Sequence, residues 1–191
     1  MSKPVLSSGM VKLIKKPWLW LLAVVVSAAI WTLVFYWASR TPIEKKFNVW
    51  VGAPFELNDG LKQQIEDACH DGGMKDIYIT SYNPDDYSYA IAFSMQASST
   101  DIFILHKDEA AFEAEAMVFK ALPDRYKGES AIEYTYTDDD GKSVTETIGV
   151  KFAGDYYVFI GRQSVKDDSL LYSVLDLIAE YGANAMEESE Q

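Results

Sequence analysis

Cysteine and histidine are scarce in this sequence: one cysteine (Cys69) and two histidines (His70 and His106) occur among 191 residues. A single cysteine excludes an intramolecular disulfide, so a folded domain must depend on its hydrophobic core, and we expect Cys69 to be a buried free thiol. The histidines belong to different predicted elements, and we expect no metal site from them. Cys69 and His70 are adjacent on a predicted helix, where neighbours face different directions, which argues against a Cys–His nucleophile pair.

Motifs that hold phosphate or activate a nucleophile are absent as well. The sequence contains no G-x-x-x-x-G-K-[ST] loop, no G-x-G-x-x-G turn and no G-x-S-x-G elbow. Residues 138–141 (DDDG) suggest calcium, but a loop with Gly141 at its sixth position would begin at Tyr136 and end at Thr147, and neither is an acid. We interpret this segment as a hairpin turn and expect no cofactor and no enzymatic activity.

One long hydrophobic run covers residues 18–38 (WLWLLAVVVSAAIWTLVFYWA), 21 residues without a charged side chain. As a helix it would be roughly 31 Å long, about the thickness of a bilayer's hydrocarbon core. It exceeds the ~7–15-residue apolar core of a signal peptide, and bulky aromatics stand where a cleavage site needs small residues. We therefore predict an uncleaved transmembrane signal anchor, the alternative being a buried core helix. The aromatic residues at its ends suit the headgroup zone: Trp18, Trp20, Tyr36 and Trp37.

Charge is distributed unevenly along the chain. Residues 1–46 hold seven Lys/Arg and one acid, a net charge of +6, whereas residues 47–191 hold 10 Lys/Arg and 28 Asp/Glu, a net charge of −18. By the positive-inside rule we expect a single-pass protein of the cell membrane with a cytoplasmic basic tail (1–17). A linker (39–46), an extracytoplasmic domain (47–185) and a frayed tail (186–191) would follow. The acidic domain would repel phosphates, which excludes nucleic acid as a partner.

The predicted domain begins with alternating strands and helices. Runs rich in β-formers predict strands over 47–52, 75–81, 101–106, 130–137, 143–152 and 156–161. Helical spacing with capping residues predicts helices over 58–70, 83–97, 107–122 and 167–182. Right-handed crossovers make the first three strands parallel. The predicted fold class is α/β: a single three-layer domain with a mostly parallel mixed sheet flanked by helices, plus a β-hairpin, preceded by one transmembrane helix.

Two parts of the sequence resemble the N-terminal lobe of bacterial extracellular solute-binding proteins, the sugar-type receptors of ABC importers. The first part contains FNVWVG, KDIYITSY and DIFIL, and the second is YYVFIGRQSVKDDSLLYSVLDLIAEYG. Residues 123–150 between them hold only the predicted hairpin and are too short for the second lobe with which such receptors enclose a ligand. The resemblance thus implies a truncated, single-lobe relative that captures a ligand or contacts a transporter or sensor protein.

Ligands of open α/β sheets bind beyond the carboxyl ends of the strands. Four residues are predicted at these ends, namely Phe55, Tyr82, Asn83 and His106. We predict that they bind a small solute such as a sugar, which would stack on the aromatic rings. The alternative is that these side chains only pack against loops.

Three function classes follow from the sequence. The leading hypothesis is a non-enzymatic, membrane-anchored extracytoplasmic domain that binds a solute or a protein partner. The alternatives are a structural subunit of a membrane protein complex and an envelope hydrolase acting through scattered carboxylates. Tyr134 and Tyr136 alternate on one face of the predicted hairpin, where they either cover a helix layer or present a docking surface.

Overall fold

The computed structural model describes residues 16–115, 117–137 and 140–189. The chain divides into two compact units, one ending at Thr41 and the other beginning at Pro42. The predicted basic tail lies outside the described residues except for Lys16 and Pro17.

The first unit contains helix α1 (Pro17–Ser39). Proline suits the first turn of a helix because the N–H that it lacks would have no partner there. From Trp18 to Trp37 the mean hydropathy is 2.2, and α1 is long and apolar enough to cross a membrane. The aromatic side chains at its two ends are all exposed: Trp18, Trp20, Tyr36 and Trp37.

The second unit contains six strands and four longer helices. The strands are β1 (Lys46–Gly52), β2 (Asp76–Tyr82), β3 (Ile102–His106), β4 (Ala131–Thr137), β5 (Ser143–Ala153) and β6 (Tyr156–Ile160). The helices are α2 (Asp59–Asp71), α3 (Tyr89–Gln96), α4 (Lys107–Glu115) and α5 (Asp168–Ser189). The α/β prediction is confirmed, and each strand lies within one residue of its predicted bounds.

The strands form one mixed sheet in the order β2-β1-β3-β6-β5-β4. β1 pairs in parallel with β2 and β3, as predicted. The pairs β3–β6, β6–β5 and β5–β4 are antiparallel, so the predicted predominance of parallel pairs is not found. For β5–β4 and β6–β5 the reason is local: Gly141 (φ 79°) and Gly154 (φ 57°) lie in short turns that reverse the chain on either side of β5. Two residues of the predicted hairpin turn, 138 and 139, lie outside the described residues.

Helices cover both faces of the sheet. Alternate residues of β1 point to opposite faces, with Val49 and Val51 on one and Trp50 on the other. The first face packs against α2 and α5, and we call these contacts the first core. The second face packs against α3 and α4, and we call these contacts the second core.

Helix α2 has the ends that its sequence predicts. The side chain of Asn58 accepts a hydrogen bond from the backbone N–H of Gly60, which caps the first turn. Leu61, Ile65 and Cys69 recur at helical spacing and lie fully buried in the first core. Gly72 follows the last helical residue, so a cap and an apolar face suffice to define this helix.

Helix α3 begins later than predicted. Instead of capping a helix over 83–97, Asn83 starts a turn in which its Oδ1 accepts a hydrogen bond from the Asp85 N–H at 3.1 Å. Its carbonyl oxygen accepts another from the Asp86 N–H at 3.0 Å. Asn side chains compete with helical hydrogen bonds in this way, so the helix starts only at Tyr89.

Helix α4 ends earlier than the predicted 107–122. The chain leaves the helix after Glu115, and Met117 adopts a left-handed conformation (φ 53°). Phe119 then forms an isolated antiparallel bridge with Gly161 and stacks on Phe159, with ring centroids 4.4 Å apart. Burial of Phe119 in the second core therefore outweighs the helix propensity of this segment.

Helix α5 continues past Gly182, where the sequence predicts its end. It reaches Ser189, so the predicted frayed tail (186–191) is helical as far as it is described, and residues 190 and 191 lie outside the described part. A Cβ atom at position 182 would overlap with the carbonyl oxygen of Phe152. Gly182 thus allows the helix to lie close to β5 and is not a C-terminal cap.

Candidate functional site

The carboxyl ends of β1 and β3 form the switch point of the parallel part of the sheet. β1 lies between β2 and β3, and the connections to these two strands carry α2 on one face and α3 on the other. Ligands of open α/β sheets bind at such a point, because the connecting chains diverge from it. This edge is where the sequence predicts ligand binding.

Two of the four predicted ligand-binding residues, Phe55 and His106, both contact the ring of Tyr156 at this edge. The ring of Tyr156 lies edge-on to Phe55 (centroids 5.0 Å apart) and edge-on to His106 (5.4 Å). His106 and Tyr156 are partners in the β3–β6 register, which fixes this contact. Sequence reasoning missed Tyr156 because nothing local shows that β6 pairs with β3.

The other two predicted residues have different surroundings. Tyr82 stacks on Trp50 with ring centroids 4.2 Å apart, and its hydroxyl accepts a hydrogen bond from the Gln96 amide at 3.0 Å. It therefore packs against the second core. Asn83 is exposed, and its side chain is used in the turn before α3. Among the described residues, no ring contact joins Tyr82 to Phe55, Tyr156 or His106.

A buried hydrogen-bond chain lies beside this edge. The hydroxyl of Tyr89 donates a hydrogen bond to the Glu109 carboxylate and accepts one from the Trp50 indole at 3.4 Å. A Cβ atom at Gly52 would overlap with the Tyr89 hydroxyl, so a glycine at the end of β1 makes room for it. Glu109 lies in the first turn of α4, where a helix favours negative charge.

The carboxylates of α4 have perturbed protonation equilibria. Burial is the main cause that raises the pKa of Glu109; the charge of Glu113 raises it further, and the Tyr89 hydrogen bond and His106 oppose this. Burial also raises the pKa of Glu113. The pKa of Tyr156 is raised by burial and by the charges of Glu109 and Asp85. Glu109 and Glu113 therefore take up a proton more readily than exposed carboxylates do, and each can accept a hydrogen bond from a ligand.

The buried thiol of Cys69 and the exposed His70 do not add chemistry to this edge. Cys69 is fully buried and free, as predicted, and burial together with the charges of Asp101 and Glu66 raises its pKa to about 12. His70 is exposed, with its Nδ1 3.1 Å from the carbonyl oxygen of Met74. Within the described ranges, no group of three or more His, Cys, Asp or Glu residues could hold a metal ion.

A second feature of the domain is a set of exposed apolar side chains on α3, on α4 and at Tyr87, which lies just before α3. Four large apolar side chains here point to solvent, with exposures of 93% (Tyr87), 59% (Ile91), 75% (Met95) and 70% (Phe112). We call these residues the α3–α4 surface. Ile91 and Met95 are four residues apart and lie on the side of α3 opposite its buried residues, Tyr89 and Phe93.

Comparisons with protein-family profiles, with curated protein sequences and with solved structures found no significant match.

Proposed function

We propose that this protein is a non-enzymatic domain, tethered to a membrane by α1, that binds a protein partner such as a transporter or sensor. In this proposal the N-terminal tail is cytoplasmic and the acidic domain is extracytoplasmic. The observation that carries the proposal is the α3–α4 surface. The resemblance to one lobe of a solute-binding protein is part of the same proposal, because such lobes work in contact with membrane proteins.

The composition of α3 supports a protein contact. Its sequence, YAIAFSMQ, contains no charged residue, and its outer side carries Ile91 and Met95. A helix that faces only water has polar residues on its outer side. Large exposed apolar side chains such as these and Phe112 of α4 are typical of a protein interaction site.

Charge around the surface indicates what the partner is like. The exposed acids Asp85 and Asp86 precede Tyr87, and Asp108 lies on α4 on the same face of the sheet. An apolar centre with an acidic rim complements a protein surface with apolar residues inside a rim of Lys and Arg. Anionic lipid is disfavoured as the contact, because residues 47–191 carry a net charge of −18.

Tethering suits a domain of this kind. A domain held at the membrane meets a membrane-bound partner at a high effective concentration, so a modest contact surface is sufficient. The α1 segment would then contribute to binding as well as to location.

Site-specific photo-crosslinking in cells that produce the full chain tests the proposal. A photoreactive amino acid at Met95 or Phe112 should crosslink to one membrane protein, whereas the same amino acid at the exposed Ser173 of α5 should not. Ile91→Lys and Met95→Lys should abolish co-purification in detergent, because lysines would face a basic rim, and Ser173→Lys should leave it unchanged. Crosslinking from Ser173 alone, or co-purification that survives both lysine substitutions, would contradict the proposal.

Capture of a small solute is the second candidate function. It is favoured by the convergence of Phe55, His106 and Tyr156 beside the Glu109 carboxylate, since sugars stack on rings and hydrogen-bond to carboxylates. Binding of a sugar would raise the midpoint of thermal unfolding. Tyr156→Ala should remove that shift. If no sugar shifts the midpoint of the unaltered chain, this candidate is wrong.

A further inference from the structure

A groove of about 460 Å³ lies between the β4–β5 hairpin and the segment that follows α4. Its lining includes Phe119, Tyr134, Tyr136, Glu146, Ile148 and Arg162. We call this space the hairpin groove. Its volume falls in the range of cavities that bind small organic molecules. It is separate from the α3–α4 surface, and none of these lining residues was predicted to bind a ligand.

The floor and one wall of the hairpin groove are apolar and aromatic. Phe119 and Ile148 belong to the second core and are almost completely buried. Tyr134 and Tyr136 alternate on the inner face of β4, with nearly parallel rings whose centroids are 6.3 Å apart. A wall of two aligned rings offers an aromatic or aliphatic group a large, rigid contact surface.

The groove is also lined by two cations, Lys120 and Arg162, and one anion, Glu146. Lys120 is paired with Asp168, which lies outside the lining. Arg162 and Glu146 both line it, yet no ion pair joins them, and Arg162 forms none with any acid in the described chain. The Glu146 carboxylate accepts a hydrogen bond from the Tyr136 hydroxyl at 3.2 Å, which holds it on the β4–β5 wall. Opposite charges that stay apart in one groove can each form a charge-assisted hydrogen bond with a ligand that carries both charges.

We propose that the hairpin groove binds a small zwitterion with a large apolar side chain, of the chemical class of α-amino acids and dipeptides. The ligand's carboxylate binds the Arg162 guanidinium, whose planar donors suit a carboxylate. Its ammonium group binds Glu146 near the faces of the tyrosine rings, where a cation is also favoured. Its side chain lies on Phe119 and Ile148.

The two charges make the proposal specific. A ligand with only a carboxylate leaves Glu146 unpaired and close to a second anion, and a ligand with only an amine is repelled by Arg162. The apolar floor distinguishes a large side chain from glycine, which would leave that surface exposed to water. This proposal does not depend on the α3–α4 surface, so the crosslinking experiment and the binding experiment can fail independently.

Isothermal titration of the full chain in detergent micelles tests the site with three probes of similar shape. These are L-phenylalanine, phenethylamine, which lacks the carboxylate, and hydrocinnamate, which lacks the ammonium group. We expect saturable binding of L-phenylalanine, with affinity for each of the other two at least about tenfold lower.

Two substitutions assign the charges. Arg162→Gln should weaken L-phenylalanine binding about tenfold and abolish its preference over phenethylamine, and Glu146→Gln should abolish its preference over hydrocinnamate. The matched controls are Arg125→Gln, away from the groove, and Glu133→Gln, on the outer face of β4; both should leave the affinity unchanged. The proposal is overturned if L-phenylalanine does not bind, if hydrocinnamate binds equally well, or if Arg162→Gln has no effect.

Discussion

Asp101 and Lys166 form an ion pair in which both side chains are almost completely buried. Lys166 Nζ lies 3.7 Å from Asp101 Oδ1. Only 3% of the Lys166 side chain and 4% of the Asp101 side chain are exposed. Asp101 also accepts hydrogen bonds from the Asn48 N–H at 2.9 Å and the Ser164 hydroxyl at 2.5 Å. Lys166 donates to the carbonyl oxygen of Ile43 at 2.7 Å. The pair thus joins the start of β1, the start of β3 and the loop after β6.

Removing one partner of this pair should be strongly destabilising. Lys166→Met leaves the Asp101 carboxylate buried without its countercharge, and we expect a loss of about 3–5 kcal/mol in the free energy of unfolding at about pH 7. Urea denaturation of the full chain in micelles measures it. A loss below about 1 kcal/mol would show that water reaches the carboxylate and that the burial is not maintained.

The loss of stability caused by Lys166→Met should also depend on pH. Burial raises the pKa of Asp101 in the folded protein, although Ser164, Asn48 and Lys166 oppose this effect. Protonation therefore favours the folded state, and it removes the unpaired charge that Lys166→Met leaves behind. The destabilisation should shrink as the pH falls to about 4, near the ordinary range of an aspartic acid. A loss that is constant with pH would contradict this account.

Gly182→Ala should destabilise the contact between α5 and β5. The added methyl group overlaps with the carbonyl oxygen of Phe152, which is backbone and cannot rotate away. We expect a cost of about 1–3 kcal/mol, as for other overpacked sites. Glu180→Ala is the control, since Glu180 is exposed on the same helix and its loss should change stability by less than about 0.5 kcal/mol. If the two substitutions changed the free energy of unfolding equally, the close approach of α5 to β5 at Gly182 would be disproved.

Glu109→Gln should stabilise the folded protein at neutral pH. Since burial raises the pKa of Glu109, its protonated form favours folding. This contribution is fully present below the unfolded-state pKa and is lost as the pH rises through the folded-state pKa. Glutamine cannot ionise and its amide oxygen still accepts the Tyr89 hydrogen bond.

The sign of the effect can be measured in urea unfolding at two pH values. The variant should be more stable than the unaltered chain at about pH 7 and equally stable at about pH 4. Glu180→Gln, on the exposed side of α5, should show no such pH-dependent difference. A variant that is less stable at pH 7 would mean that the ionised carboxylate is favoured in the fold.

The proposed topology predicts a protection pattern. Protease added to spheroplasts should digest residues 47–191 and leave the N-terminal tail intact, because the positive flank keeps that end in the cytoplasm. An epitope tag at each end, detected by immunoblotting, distinguishes the two sides. Full protection of the acidic domain from the protease would show that the orientation is the opposite of the proposed one.

The sequence predicted the strands and α2 well because their signals are local. β1 and β3 are short apolar runs bounded by turn residues, and α2 combines an Asn58 cap with apolar residues at helical spacing. The candidate site was predicted only in part. Phe55 and His106 follow directly from strand ends, whereas Tyr156 reaches the same edge through β3–β6 pairing and Glu109 is held beside it by the hydrogen bond from Tyr89.

By itself, the sequence determined the apolar segment that can span a membrane, the acidic character of residues 47–191 and the type of nearly every element. These properties depend on composition and on spacing over a few residues. Tertiary structure alone decided that Phe119 leaves its helical segment to enter the second core and that Gly182 lies inside a helix. It also decided that Asp101 meets Lys166. Each of these depends on contacts between residues far apart in the chain, where burial and close packing outweigh local propensity.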